Sequence, residues 1–210
     1  MINKKLLTVA AALTLIGVIS AGATLAFFTD SANQTNRVTL GHVDIEMTEP
    51  NFDKDDGQPD NHVSNITPGN DITKDPTITL AEGSLDAYIR VKVDITGDIP
   101  REYKDDILSE KNGELATALN VDMNNWIYST GYFYYKDKLT SINKEVILFN
   151  KITIPRTWGN AAADKTFEII LTAEAIQADN FTPGTDADGV YGWYADQDPV
   201  VIEPYTVTVS

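Results

Sequence analysis

The sequence predicts an all-β fold, a two-sheet β-sandwich of jelly-roll type with one short helical insertion. Three observations lead there. Eight or so short runs alternate apolar and polar residues and are bounded by Gly, Pro, Asn or Asp, the signature of half-buried strands. Only one stretch, about 100–120, switches to helical spacing. The chain has 210 residues, 42% of them hydrophobic and 9% aromatic, so it can bury a core without cysteine staples, of which it has none.

The elements follow in order. From Thr35 the series Val38, Leu40, then Val43, Ile45, Met47 alternates and slips phase by one at Gly41-His42, which predicts a β-bulge in one long strand. Residues 49–62 (EPNFDKDDGQPDNH) are acidic and proline-punctuated, hence a loop, and Ile66-Thr67-Pro68-Gly69 is a turn. A short strand surrounds Ile78 and Leu80. Ile89, Val91, Val93 and Ile95 then alternate with Tyr88, Arg90, Lys92 and Asp94, the strongest strand pattern in the chain. Between Pro100 and Asn120, Tyr103, Ile107, Leu108, Leu115 and Leu119 lie three or four apart around Asn112-Gly113, predicting one or two short helices. Trp126–Tyr135 (WIYSTGYFYY) is two aromatic runs about Ser129-Thr130-Gly131, a β-hairpin. Val146 and Leu148 with Ile152 and Ile154 make a strand pair or one bent strand. Phe167, Ile169, Leu171, Ala173 and Ala175 alternate again, and the tail carries Val200, Ile202, then Tyr205, Val207 and Val209.

Sixteen Lys and Arg against 31 Asp and Glu give a net charge of −15, which excludes the basic patch a nucleic-acid partner requires. Charge gives no attraction to an anionic membrane either. The absence of cysteine removes iron–sulfur clusters, thiolate zinc sites and cysteine nucleophiles.

The N-terminus has a different character. Lys4 and Lys5 precede an apolar run, Leu6–Ile19, and a small-residue stretch, Ser20–Ala26. This pattern predicts an export signal over residues 1–26, cleaved between Ala26 and Phe27, and a single domain over 27–210. The alternative is a permanent anchor, since the uncharged stretch from Leu6 to Thr29 approaches the roughly 20 residues that span a bilayer. Cleavage removes two lysines and no acid, taking the charge from −15 to −17. The expected location is outside the cytoplasm, with membrane contact only through the uncleaved signal.

No residue pattern announces catalysis. His42 and His62 are the only histidines, neither is in a metal-ligand spacing, and there is no nucleophile elbow, phosphate loop or dinucleotide fingerprint. No catalytic residue is therefore expected, and no cofactor. Asp53, Asp55, Asp56 and Asp60 have the oxygen density that calcium prefers, but their spacing misses the EF-hand pattern, and a solvated acidic loop is the plainer reading. Asp186 and Asp188 before Gly189 repeat that pattern more thinly. The rings of Trp126, Tyr128, Tyr132, Phe133, Tyr134 and Tyr135 suit either a carbohydrate platform or, since half must face inward, the core.

The signal exit, Gly22–Asp30 (GATLAFFTD), with Thr39–Ile45 (TLGHVDI), resembles exported bacterial proteins that carry SipW-type signal peptides, the TasA/camelysin group of biofilm-matrix proteins. The resemblance continues through Ile66–Gly69, Asp86–Arg90 (DAYIR), Gly131–Tyr135 (GYFYY), Leu148-Phe149 and Ala173–Asp179 (AEAIQAD). It implies a jelly-roll subunit, cut by a dedicated signal peptidase in a Gram-positive bacterium, that polymerises with itself, and with sister matrix subunits, into extracellular fibres. Some camelysin-like relatives carry a metallopeptidase label, yet no zinc ligands map onto this sequence. A surface metalloprotease and a glycan-binding adhesin are the alternatives. In the fibre reading, Phe27, Phe28, Val38 and Leu40 anchor a mature N-terminal strand donated to the next subunit. The competing expectation is that this strand pairs within its own subunit.

Overall fold

The longest strands carry the strongest sequence patterns. In the computed structural model, which describes residues 41–52, 63, 66–111, 114–179, 181, 183–187, 189–193 and 205–209, strand β4 (Ala87–Gly97) pairs antiparallel with β11 (Phe167–Gln177) over the full length of both. On the other side of β4 lies β8 (Tyr132–Leu139), then β7 (Trp126–Ser129); on the other side of β11 lies β14 (Tyr205–Val209). These make a five-stranded sheet of order β14-β11-β4-β8-β7.

The second layer is built from shorter pieces. Strands β1 (Ile45–Thr48), β3 (Thr77–Leu80) and β9 (Glu145–Ile147) form one antiparallel ladder, and β2 (Asp71–Thr73) with β10 (Lys151–Thr153) another. The two are stitched together where the chain passes between them, by Leu148 N–H to Pro76 O (3.1 Å) and Lys74 N–H to Asn150 O (3.4 Å). Ile45, Ile78, Leu148 and Ile152 from this layer meet Ile89, Val91, Trp126, Phe133 and Leu171 from the other in one apolar core. The expected two-sheet β-sandwich is the fold.

Several local expectations hold. Ile89, Val91 and Val93 point into the core, as do Ile169, Leu171, Ala173 and Ala175. The aromatic hairpin turns at Thr130 (φ 50°) and Gly131 (φ 83°), two consecutive left-handed residues of the kind that match hairpin twist. The Pro68-Gly69 turn closes through Asn70 N–H to Thr67 O, with Gly69 at φ 90°.

Others are corrected. Helical insertion 100–120 contains a single helix, α1 (Arg101–Ile107), followed by a β-hairpin of β5 (Leu108–Lys111) and β6 (Glu114–Thr117). Asn112 and Gly113, which fall between those strands in the sequence, lie outside the described residues. Helix α1 is held by Ile107, fully buried, and by Tyr103 stacked on Trp158 at 4.8 Å. The long bulged strand through Gly41-His42 is also not seen: over the described part the ladder starts only at Ile45. His42 and Asp44 use their backbone on loop partners instead, with Leu85 N–H to His42 O and Asp44 N–H to Ser84 Oγ. Val146 and Ile152 belong to different ladders, β9 and β10, rather than to one pair. A small hairpin, β12 (Gly184–Thr185) with β13 (Tyr191–Gly192), and strand β2 were not foreseen.

Candidate assembly surface

Strand β11 presents the same residues to two neighbours. On one side Glu174 lies opposite Arg90 and Ala173 opposite Val91; on the other, Glu174 lies opposite Thr206, Ala173 opposite Val207, Thr172 opposite Thr208 and Leu171 opposite Val209. The Thr172 and Thr208 hydroxyls are 3.3 Å apart. Strand β14 is the sheet's edge, and it buries no side chain completely: Val207 and Val209 are half-buried, while Tyr205, Thr206 and Thr208 are exposed. The Tyr205 hydroxyl donates to Asp44, and that carboxylate pushes the phenol above its ordinary pKa.

The outer face of the same sheet carries an arginine wrapped in rings. A register shift between Tyr88 and Arg90 sets Arg90 directly opposite Tyr134. Arg90 Nε donates to Glu174 Oε2 at 2.6 Å, and its guanidinium lies 4.2 Å from the Tyr132 ring centre and 4.5 Å from that of Trp193. Burial works against the charged guanidinium, but the hydrogen bonds to Glu174 and Tyr134 outweigh it and raise its pKa. Tyr191 and Trp193 cover Tyr134 edge-on, and Phe181 bridges Trp193 and Tyr88. The segment after β11 is thus strapped across the sheet by aromatic contacts. No local pattern announces this cluster, because Arg90 and Glu174 lie 84 residues apart and only the pairing of β4 with β11 joins them. Their one visible signal was position: both occupy the outward phase of an alternating strand.

The aromatic hairpin is committed to packing. Trp126, Phe133 and Tyr134 are buried, Tyr128, Tyr132 and Tyr135 half-buried. Trp126 Nε1–H reaches across to Ile147 O at 3.2 Å, spanning a groove of about 400 Å³ between β7 and β9 that Asn120, Tyr135, Val146 and Asn150 also line.

A third cluster anchors the entrance to the acidic segment. Lys74 and Asp75 are buried, 4% and 3% exposed. Lys74 Nζ is 2.7 Å from both Glu49 carboxylate oxygens and 4.2 Å from the Phe52 ring centre, while Asp75 accepts from the backbone and side-chain amides of Asn51.

The residues singled out in the sequence lie beyond these clusters. Ala26, Phe27, Phe28, Val38 and Leu40, the calcium candidates Asp53, Asp55, Asp56 and Asp60, and His62 are all outside the described residues, as is the boundary of the 1–26 signal. Asp186 is described, and its carboxylate accepts Val190 N–H within the β12–β13 turn. Among the described residues no three His, Cys, Asp or Glu side chains converge as a metal-binding group, and His42 is an exposed loop residue; these residues do not fit a catalytic metal. No helix among them is long and apolar enough to cross a membrane.

No curated protein and no solved structure matches the chain. The family model described as camelysin metallo-endopeptidase matches residues 1–162. That match covers the N-terminal motifs, the aromatic hairpin and most of the sandwich, so the chain belongs to the TasA/camelysin family.

Proposed function

We propose that the protein is a secreted structural subunit of extracellular, biofilm-matrix fibres, assembling head to tail as the mature N-terminus of one copy adds a strand to the sheet of the next. The observation that carries this reading is the sheet edge at β14, where backbone pairing continues while side-chain burial gives out. An edge of that kind is a template for strand addition. A head-to-tail contact does not close on itself and so builds filaments. Family membership supports an extracellular or cell-surface location, with cleavage after Ala26 by a dedicated signal peptidase. Sister matrix subunits are further partners in this reading.

Electron microscopy of the purified mature protein tests it: fibres are expected from the wild type, and folded monomers from a deletion of Phe27–Asn33 or from Val38→Lys/Leu40→Lys. Fibres from those variants would remove the donor strand from the reading. The family's name supplies the competing reading, a surface metallo-endopeptidase, and casein hydrolysis abolished by a chelator in the same preparation would establish it. Asp53, Asp55, Asp56 and Asp60 are proposed to form a solvated loop; a melting temperature that rises in millimolar calcium would make them a calcium site instead.

A further inference from the structure

We propose that Lys74 and Glu49 become a covalent crosslink in the folded protein, an amide between Lys74 Nζ and Glu49 Cδ. Of the ion pairs among the described residues theirs is the most deeply buried, with side chains 5% and 10% exposed. Two ions taken out of water are well accommodated only where every polar atom finds a partner. Here one does not. Glu49 Oε2 accepts the hydrogen bond from Lys74, whereas Oε1, buried and just as close to Nζ, receives no hydrogen bond among the described residues. The Phe52 ring, 4.2 Å from the amine, adds an apolar wall.

The surrounding chain holds the two groups in contact. Glu49 directly follows β1 and Lys74 directly follows β2. Phe52 N–H to Glu49 O (3.3 Å) closes a turn, and buried Asp75 takes both the backbone and the side-chain amide of Asn51 within it. Consecutive residues, Lys74 and Asp75, thus grip two points of one turn. Contact of Nζ with both carboxylate oxygens brings Cδ within the roughly 3–3.5 Å of a near-attack arrangement. One proton passes from Lys74 to Glu49 along their hydrogen bond, replacing two buried charges with a neutral amine and a neutral carboxylic acid. The amine lone pair adds to Cδ, the nitrogen yields a second proton to the carboxyl hydroxyl, and that oxygen leaves as water. A C–N bond forms, a C–O bond breaks, and nothing is oxidised or reduced. The product closes a covalent loop between residues 25 apart and ties the β1-β3-β9 ladder to the β2-β10 ladder, in a chain that has no cysteine for a disulfide.

Mass spectrometry of the mature protein tests this, with the N-terminus read from a digest of the same sample. The wild type is expected to be lighter than its sequence by one water, and the digest to hold a branched peptide joining the segments around Glu49 and Lys74. Lys74→Arg keeps the positive charge but not the nucleophilic amine. That variant is expected at its full sequence mass, melting roughly 5–10 °C below the wild type through loss of the closed loop. Glu49→Ala should likewise show its full sequence mass. Wild type at its full sequence mass overturns the crosslink, whatever the variants do. Loss of ammonia in place of water, or a branch at another residue, overturns Glu49 as the partner. Each of these outcomes is independent of whether the subunit forms fibres.

Discussion

Val91 and Val207 stand on opposite sides of the same residue, Ala173, in neighbouring strands of one antiparallel sheet. Val91 is fully buried and lies in a ladder whose registered pairs run from Ala87 to Gly97; Val207 is half-buried, in a ladder that spans only Leu171–Ala175. Both valines have the same chemistry and both strands pair antiparallel with β11. The difference teaches that hydrogen bonding decides where a strand fits, while the apolar area it buries decides whether it stays.

Substitutions break or sharpen that contrast. Val91→Ala removes buried methyl groups from the centre of the core and should cost about 2–3 kcal/mol, read as a fall in denaturation midpoint with unchanged slope. Arg90→Ala strips the outer face of the same β4 ladder, leaving Glu174 without its charge partner and three rings without their cation. A loss of roughly 1–2 kcal/mol is expected, with a change in Trp193 fluorescence and partial recovery in Arg90→Lys, which keeps the charge but not the planar fork. Val207→Ala should cost less than about 1 kcal/mol, since much of that side chain already meets water. A cost equal to that of Val91→Ala would erase the distinction between the two ladders.

The smallest effect is at the end of the β4 ladder. Thr166 N–H donates to Asp98 Oδ1 at 2.7 Å and Lys165 lies beside it, holding this carboxyl below its ordinary pKa. A folded pKa lowered in this way contributes stability that is present above the unfolded carboxylate value, about 3.9, and is lost as pH falls through the folded value. Asp98→Asn should therefore flatten part of the acid decline in melting temperature below about pH 4, and leave the neutral-pH slope with pH unaltered.

Much of the sandwich was legible because alternation reports burial on one face. Ile89, Val91 and Val93, or Ile169, Leu171 and Ala173, need no knowledge of their partners to be assigned inward. Pairing was not legible, since no local signal joins Val146 to Ile78 or Arg90 to Glu174. The β5–β6 hairpin was misread for a related reason: apolar residues three or four apart near Asn112-Gly113 fit a broken helix as well as two short strands, and contacts such as Leu119 with Ile152 decided the matter. The candidate site divides along the same line. The strand pattern of Val38 and Leu40 is local, but the sheet edge at β14 comes into view only once β14 is placed beside β11.

Gly97 ends the β4–β11 ribbon at φ 99°, in a corner where a side chain would meet Thr166 O at 2.5 Å, and beside it Asp98 holds Thr166 across a separation of 68 residues. At the ribbon's middle, Arg90 and Glu174 are separated by 84. Every rung of this central ladder therefore closes a long loop, and the entropy of that closure must be met before burial can repay it. Such a topology folds slowly, and it cannot begin to zip until the third quarter of the chain has been made. During synthesis the central ladder therefore stays open until Phe167–Gln177 has been made, while local hairpins such as β7–β8 can already close.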